Sequence, residues 1–361
     1  MNKKQMVDNL FAALNKSRVW YAIKKSERKK IGLYKANGIE IKKLTKEQKN
    51  EIDSIYKKYG AKYTYDTHIM TYSVTGKFDA RIMPETLFRA AIEPKLNRKA
   101  YKTVLPDKAY FELYMPTAKF PETIIKNIDG CLYDGSFNLI EQEKAAEIVK
   151  NYDKVVVKPT KDSGQGRGVT LVETSKENPF NILKKDYIMQ KVFIQHPTLT
   201  ALNETSVNCI RLVTLFMDNQ VHLLGAMLKI GGAGEFADNT TTMSCDAEKG
   251  RMVVGIDING KLHENGFYAS GKTTNKTHNG KNLSDCEVPC YKNMVEEVIR
   301  QHKTFPAVKF VAWDVTVTED EEVVIMEYNT KSPGVQYIQY TNGALFGELT
   351  EKVLKYVKNN R

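Results

Sequence analysis

The sequence contains little cysteine, and this excludes a disulfide-stapled class of protein. Only five of its 361 residues are cysteines, and they are too scattered to form a disulfide framework in a chain this long. Cys286 and Cys290 form an isolated C-x3-C pair, and without a second pair this spacing is a weak sign of zinc. We therefore expect reduced thiols, as in a cytosolic protein.

Long apolar runs and a secretion signal are missing as well. No apolar run reaches the ~18 residues that a membrane-spanning helix needs. The first twenty residues, MNKKQMVDNLFAALNKSRVW, place lysines between short amphipathic stretches and lack the apolar core of a signal peptide. No Ser-His-Asp or Cys-His arrangement is recognisable, so we expect no covalent enzyme intermediate. These absences favour a cytoplasmic protein.

Positive charge is concentrated in the first sixty residues. The formal net charge is +11, and residues 1–60 hold 16 of the 54 Lys/Arg but only 6 of the 43 Asp/Glu. A solvated helical face is the favoured interpretation. The sharper alternative is adhesion to an anionic cytoplasmic leaflet, which would be a peripheral contact at the inner face of the membrane. Nucleic acid is not expected as a partner, because no recognisable nucleic-acid module accompanies the charge.

Strand-like segments dominate the chain after residue 150. Runs rich in Val, Ile and Leu predict five strands, and helices are predicted at 290–303 and 344–358. A hairpin joined by an acidic turn is predicted at 308–317 and 323–328. In the N-terminal part, Thr45 is expected to cap a helix and Gly60 to end it. The five strands are predicted at 154–158, 169–173, 187–193, 207–217 and 220–230.

A glycine-rich loop joins the first two of these strands in KVVVKPTKDSGQGRGVTLVE, residues 154–173. A Walker A loop needs its lysine after the glycines, whereas Lys158 precedes them. A dinucleotide fingerprint opens a helix, whereas VTLVE is strand-like. What remains is a hairpin with a long polar tip. Such a tip either folds over a triphosphate or is a plain hairpin with a glycine bulge, and the stretch alone leaves both open.

Acidic and amide side chains converge on the predicted hairpin near the C-terminus. Glu327 and Asn329 are two residues apart on a strand and therefore face the same side. Asp314 lies on the adjoining strand, where it can meet them across the ladder. These oxygens suit a hard cation that takes its remaining ligands from phosphate and water. Two Mg²⁺ ions could be held if Glu327 bridges them.

Lys108 supplies a further cation, directly after Asp107 and near the start of a predicted helix. The order DK (107–108), VVVKPTKDSGQGRGV (155–169), IMQKVF (188–193) and D…MEYN with SPG (314–334) resembles the ATP-grasp superfamily. SVNCIRLVT (206–214), ADNTTTMS (237–244), THNG (277–280) and AWDVTVT (312–318) are similar to the sugar-transfer-associated ATP-grasp family, whose members are predicted to act in cell-surface polysaccharide biosynthesis.

The resemblance implies an α+β protein with an ATP-grasp fold, in which two α/β subdomains clamp ATP. The resemblance and the charge distribution together divide the chain into four expected regions. They are 1–60 for the basic helical region, 61–150 for a mixed α/β pre-ATP-grasp region, 151–200 for the small subdomain with the glycine loop, and 201–361 for the large subdomain.

The resemblance also implies roles for individual residues. Two lysines would hold the nucleotide phosphates, the glycine loop would close over them, and the strand IMQKVF would receive adenine. Arg211 and Lys229 would stabilise the transferred phosphoryl group as catalytic residues. His196 or Ser206 would contact the ribose, and Asp238, Asn239 and His278 are weaker candidates for a substrate edge. The implied ATP ligands are Lys108, Lys158, Ser163, Gly164, Gly166, Gly168, Gln190, Lys191, Phe193 and His196, and the implied metal ligands are Asp314, Glu327 and Asn329.

The activity implied is ATP- and Mg²⁺-dependent ligation of a small-molecule carboxylate to an amine, through an acylphosphate. The substrate would be a sugar, an amino acid or a lipid-linked glycan precursor. Two alternatives are a non-catalytic ATP-binding scaffold of a glycan assembly complex and an ATP-grasp kinase. An acylphosphate hydrolyses readily, so a loop that excludes water suits the ligase.

Overall fold

The computed structural model describes residues 3–161, 166–232, 234, 250–331 and 333–359. Two antiparallel sheets and the helices around them form the fold, which confirms the α+β class. The helices are α1 (Lys3–Ala36), α2 (Lys46–Tyr56), α3 (Asp66–Thr75), α4 (Glu85–Leu87), α5 (Glu93–Leu96), α6 (Lys99–Val104), α7 (Phe111–Tyr114), α8 (Gln142–Val149), α9 (Pro197–Thr200), α10 (Tyr291–His302), α11 (Gln336–Asn342) and α12 (Thr350–Asn359).

Twelve strands occur in the described part of the chain. They are β1 (Thr123–Ile128), β2 (Cys131–Asp134), β3 (Lys154–Pro159), β4 (Thr170–Glu173), β5 (Tyr187–Lys191), β6 (Cys209–Met217), β7 (Gln220–Ile230), β8 (Met252–Ile256), β9 (Leu262–Tyr268), β10 (Thr273–Thr274), β11 (Phe310–Val317) and β12 (Val323–Asn329). The five strands, the C-terminal hairpin and the helix at 290–303 predicted from the sequence are confirmed to within one to two residues.

The N-terminal helices end where the sequence predicts and pack against the body of the protein. Thr45 caps α2 in a capping box with Gln48, and Gly60 ends the following 3₁₀ turn with φ 67°. In α1, Tyr34 is completely buried and its hydroxyl lies 3.1 Å from that of Tyr340 in α11. The later part of the basic helix therefore buries Tyr34 against the C-terminal region and exposes lysines such as Lys25 and Lys29.

The smaller sheet has five strands in the order β2-β1-β5-β3-β4. α8 packs on it, and Ile125, Ala145, Val155 and Met189 belong to its core. The sheet thus combines strands from both sides of residue 150, where a boundary was predicted. Its strands β3 and β4 carry the glycine loop between them.

The larger sheet has seven strands in the order β10-β9-β8-β7-β6-β11-β12. One face packs on α10 through a core that includes Trp313 and Tyr328. The other face packs on the N-terminal helices together with α11 and α12, and this core includes Phe88 and Phe310. Between α4 and α5 the chain forms a π-helical turn at Phe88–Ile92. In the described part of the chain, no helix is both long enough and apolar enough to cross a membrane.

Candidate active site

A cleft of about 900 Å³ separates the two sheets. Its walls come from the end of β3, the segment after β5, the 3₁₀ turn at Lys108 and the polar end of the large sheet. The sequence-predicted residues that line it are Lys108, Lys158, Gly166, Gln190, Lys191, Phe193, Lys229, Asp314 and Glu327. Residues far apart in the chain are thus brought to one concave surface, as in a ligand-binding cleft.

A cross-strand row of polar side chains includes Asp314 and Glu327 at the floor of the cleft and extends beyond the cleft to Arg211 and Asn329. Arg211 on β6 pairs with Asp314 on β11, which in turn pairs with Glu327 on β12. Asn329 lies two residues further along β12, opposite Ala312. Since cross-strand partners share a face, Arg211, Asp314, Glu327 and Asn329 all point to the same side of the sheet. The predicted meeting of the two acids and the amide across the ladder is confirmed.

A β-bulge in β12 makes this arrangement compatible with the core. The register shifts so that Asp314 pairs with Glu327 while its neighbour Val315 pairs with Ile325. Met326 is the extra residue and lines the cleft. Strict alternation would place Ile325 and Tyr328 on opposite faces, whereas the bulge lets both enter the same core.

Asp314 is held in its charged form by two cations. The Arg211 guanidinium donates two hydrogen bonds to its oxygens, at 2.9 and 2.7 Å, and the Lys229 ammonium lies 3.3 Å away. Burial alone would raise the pKa of Asp314, but the attraction of Arg211 and Lys229 outweighs it and holds that pKa well below the ordinary range. Arg211 and Lys229 lie on neighbouring strands, since β6 pairs with β7.

Glu327 is the more accessible acid and links the floor to the lysine wall. Its Oε1 accepts from the Asn329 amide at 3.3 Å, and its Oε2 lies 3.4 Å from the Lys108 ammonium. The Glu327 side chain is 23% exposed, whereas that of Asp314 is 2% exposed. Glu327 is therefore the carboxylate best placed to contact a ligand directly.

Two lysines share the opposite wall. Asp107 caps the 3₁₀ turn that carries Lys108, and the Lys108 N–H donates to the Thr160 carbonyl at 2.9 Å, which ties the turn to the end of β3. Burial lowers the pKa of Lys158 to about 8, and repulsion from Lys108 adds to this. Two ammonium groups held this close in a buried cleft favour an anionic ligand such as a phosphate chain.

The segment after β5 forms an apolar slot. The Gln190 amide donates to the Pro121 carbonyl at 3.0 Å and to the Thr123 hydroxyl at 3.1 Å, which fixes its orientation. The Lys191 N–H donates to the Glu122 carbonyl at 2.9 Å, so that N–H is already in use. Sequence reasoning missed the apolar walls, because single valines in strands carry no functional signal. They are Val156, Val169, Val192, Val207, Cys209 and Met326.

The described part of the glycine loop reaches the cleft. Gly166 lines it, and both Gly166 and Gly168 have positive φ, at 71° and 73°. A Cβ on Gly168 would lie 3.0 Å from Cγ of Pro159, so this position needs glycine for two reasons. Ser163 and Gly164 lie outside the described residues, as do Asp238 and Asn239.

His196 is separated from the other predicted ATP ligands. Its Nδ1 accepts from the Thr198 N–H at 3.2 Å and caps α9, and His196 is not among the described residues that line the cleft. Ser206, its alternative, is buried beside Asn203 and Asn208. His278 is half-buried, with its ring 6.3 Å from that of Tyr268. The ribose contacts stay a prediction.

The acidic set fits a hard cation. In the described part of the chain, no cluster of three His, Cys, Asp or Glu side chains forms a metal site. Two carboxylates and a carboxamide do meet, however, and the depressed pKa of Asp314 keeps it ionised as a metal ligand requires. Oxygen ligands in this number suit Mg²⁺ that also binds phosphate oxygens. Glu327 and Asn329 would bind such an ion most directly, because Asp314 is already engaged by Arg211 and Lys229.

Several solved structures are similar to this chain. The ATP-grasp ligase PsnB complexed with a minimal precursor is 10% identical, covering 72% of this chain and 64% of that one with a TM-score of 0.43. VanG D-Ala:D-Ser ligase from Enterococcus faecalis is 12% identical, covering 71% and 61% with a TM-score of 0.40. The Chryseobacterium gregarium RiPP-associated ATP-grasp ligase, in complex with ADP and a leader and core peptide, is 14% identical, covering 74% and 63% with a TM-score of 0.42.

The chain covers less than two thirds of the length of these solved structures. No curated protein matches it. The family described as sugar-transfer associated ATP-grasp matches residues 87–355, which is most of the chain and includes both sheets. This match agrees with a cleft between two sheets, lined by lysines on one wall and acids on the other. The chain belongs to the sugar-transfer-associated ATP-grasp family.

Proposed function

We propose that this protein is an ATP- and Mg²⁺-dependent carboxylate–amine ligase that acts on a precursor of cell-surface polysaccharide. The observation that carries the proposal is the convergence of Lys108 and Lys158 with Asp314 and Glu327 on one cleft, with Asn329 hydrogen-bonded to Glu327 beside it. Phosphate-binding cations on one wall and cation-binding oxygens on the other are the two halves that phosphoryl transfer from ATP requires.

ATP would bind with its base in the apolar slot after β5. The Lys191 carbonyl and the Phe193 N–H would contact the base edge, because the Lys191 N–H is used by Glu122. Lys108 and Lys158 would bind the phosphate chain, and Gly166 and Gly168 would let the loop backbone approach it closely. A bound Mg²⁺ would neutralise phosphate charge and orient the transferred group.

The reaction balances in two steps. A carboxylate oxygen of the acceptor attacks the γ-phosphorus, an O–P bond forms, the bond to the β,γ-bridging oxygen breaks, and ADP leaves. An amine then attacks the acyl carbon, a C–N bond forms, phosphate leaves, and the nitrogen loses a proton. Arg211 and Lys229 would stabilise charge on the transferred group, with Asp314 fixing the position of both.

The proposed place of action is the cytoplasm, at the inner face of the membrane. α1 carries exposed basic side chains such as Lys25 and Lys29, which suit an anionic leaflet. The family name also associates these proteins with sugar transfer. Vesicles with and without anionic lipid would test the contact, and equal binding to both would contradict it.

The enzymatic test is Mg²⁺-dependent release of ADP with paired carboxylates and amines, followed by mass spectrometry of the product. An amide together with ADP and phosphate supports the ligase. A stable phosphoester would identify a kinase instead. Nucleotide binding without turnover on any pair would favour a non-catalytic scaffold.

A further inference from the structure

A second cavity, of about 1280 Å³, lies beside the ATP cleft. Arg211, Glu327 and Asn329 line it, and Glu327 lines the cleft as well. The two spaces therefore meet at the most accessible acid of the site. A molecule in the second cavity would lie next to the phosphate end of the cleft, where the acceptor of phosphoryl transfer must be.

One wall of this cavity is a face of α1. Ile23, Ser26, Glu27 and Lys30 line it. Their spacing of three and four residues places them on the same side of a helix. All four precede the segment 87–355 that matches the family. The cavity is thus bordered by a part of the chain that lies outside the family match.

Much of the charge in the lining is compensated within the protein. Three ion pairs account for it: Arg89–Glu85 at 2.7 Å, Arg211–Asp314 at 2.7 Å and Lys108–Glu327 at 3.4 Å. Arg251 and Lys331 also interact with other groups of the protein. The lining therefore gives no reason to expect a ligand with several charges.

Glu27 adds a neutral group to the α1 wall. Burial raises the pKa of Glu27 to about 8, and the Thr64 and Thr67 hydroxyls donate to its oxygens. The carboxyl is therefore mostly protonated at pH 7, and a protonated carboxyl offers an O–H donor of its own. Glu27 thus contributes hydrogen-bonding capacity to the wall rather than charge.

Other hydrogen-bonding groups of the lining are only partly used. Within the described part of the chain, the Ser26 and Tyr337 hydroxyls make no hydrogen bond. The Lys30 ammonium donates to the Gln336 side-chain oxygen and lies 5.2 Å from the centre of the Tyr337 ring, and an ammonium has three donors. A ligand that displaces water from these groups must offer hydroxyl groups in its place, because unpaired polar groups are costly to bury.

We propose that the second cavity binds the acceptor, and that this acceptor is a sugar acid with one carboxylate. The carboxylate to be activated lies at the end shared with the cleft, near Glu327. The hydroxyl groups lie against Ser26, Lys30 and Tyr337. This inference rests on the proposed function for the identity of the carboxylate end, and it assigns α1 the selection of the substrate.

The test is calorimetric titration of the full chain, saturated with Mg·ADP, with four probes. Glucuronic acid has both features, cyclohexanecarboxylic acid lacks the hydroxyls, glucose lacks the carboxylate, and glucaric acid adds a second carboxylate. We expect glucuronic acid to bind at least about tenfold more tightly than cyclohexanecarboxylic acid or glucose, and no less tightly than glucaric acid. Equal binding of cyclohexanecarboxylic acid or glucose, tighter binding of glucaric acid, or no binding of any acid at millimolar concentration overturns the proposal.

Variants of α1 locate the effect. Lys30→Met removes the donors and should weaken glucuronic acid about tenfold, while cyclohexanecarboxylic acid should bind as before. Ser26→Ala, at an exposed position, should weaken glucuronic acid several-fold without loss of stability, and Lys25→Met should change nothing.

Thermal melts of each variant confirm folding. Unchanged affinity for glucuronic acid in Lys30→Met and Ser26→Ala, or an equal loss of both acids, overturns the inference. Failure of Mg·ADP to bind the wild-type chain would instead count against the proposed function, so the two failures are distinguishable.

Discussion

The two cavities that meet at Glu327 are built in different ways. The ATP cleft is lined largely by residues of short sequence motifs, and several of these motifs lie on neighbouring strands. The second cavity is lined by α1, a π-helical turn, Arg251 ahead of β8 and the segment around Lys331, which no motif connects. The residues that resemble superfamily motifs are thus brought together by the pairing of strands. The wall that would select a substrate is formed by the packing of α1 against the body of the protein.

The same difference appears in how charge is compensated. In the cleft, Asp314 is bound to Arg211 and Lys229, so this acid is fixed by partners in the same sheet. In the second cavity, Lys30 and Arg251 lie over the Tyr337 ring. The first arrangement fixes an acid by ion pairs, and the second places two cations near one aromatic ring. The predictions below separate the two.

Glu327→Gln should have the largest effect, because Glu327 borders both cavities. Turnover should fall by about a thousandfold or more, since the amide keeps the shape but loses the charge that binds a cation. Steady-state rates of Mg²⁺-dependent ADP release give the measurement. Asp320→Asn, at the exposed turn of the same hairpin, is the matched control. Activity like that of the wild type in Glu327→Gln would show that the metal assignment is wrong.

Lys158→Met should weaken ligand binding in the ATP cleft alone. The methionine fills similar space but removes the buried ammonium, so affinity for Mg·ATP should fall about a hundredfold. Lys154→Met, at the exposed start of the same strand, serves as the control. Binding of an acidic probe in the second cavity should persist. Equal loss of both ligands would mean that the two cavities act as one.

Nucleotide binding should take up a proton above pH 7. The folded-state pKa of Lys158 is lowered to about 8, so the lysine loses its charge as pH rises through that value. Bound phosphate favours the charged form and restores the proton, by about half a proton at pH 8. Calorimetry in two buffers of different ionisation enthalpy measures this uptake. No uptake in the wild type, or the same uptake in Lys158→Met, would contradict the assignment.

Gly168→Ala should hinder closure of the glycine loop over phosphate without affecting ligand binding in the second cavity. The alanine would have φ near 73° and a Cβ 3.0 Å from Pro159, at a cost of about 1–2 kcal/mol. We expect the Michaelis constant for ATP to rise several-fold. Gly32→Ala in α1, where a Cβ meets no atom within 4 Å, is the control and should not raise it. An unchanged Michaelis constant in Gly168→Ala would argue against loop closure over phosphate.

Glu27→Gln should change stability only slightly at low pH and more at high pH. The folded pKa of Glu27 is raised to about 8 from 4.5, so its contribution to stability is full below about pH 4.5 and is lost as pH rises through 8. The variant should therefore flatten the decline in unfolding free energy between pH 5 and pH 9, by up to about 4 kcal/mol. Urea unfolding at both pH values measures it, and parallel curves would contradict a buried neutral Glu27.

Much of the cleft could be predicted from the sequence, because sheet register converts spacing into proximity. Glu327 and Asn329 are two apart on one strand, and the hairpin turn determines which residue of β11 they face. The bulge at Met326 was not predictable, since it arises from core packing of Ile325 and Tyr328. His196 was misleading because a histidine before Pro197 reads equally as a ligand or as a helix cap.

The second cavity could not be predicted from the sequence. Lys30 looks like every other lysine of a basic helix, and only the docking of α1 through Tyr34 turns it toward Tyr337. Strands β8, β9 and β10 were also missed, although Arg251, just ahead of β8, borders this cavity. Contacts between distant segments depend on tertiary packing, and the periodicity of one segment does not predict them.

The most direct test of two cavities with separate ligands is a crossed titration. Mg²⁺ with the β,γ-imido analogue of ATP, and glucuronic acid, are each titrated into Lys158→Met and Lys30→Met. The account predicts that Lys158→Met loses affinity for the nucleotide and keeps it for the acid, while Lys30→Met keeps affinity for the nucleotide and loses it for the acid. Weaker binding of both ligands in either variant, or of neither in both, would contradict it.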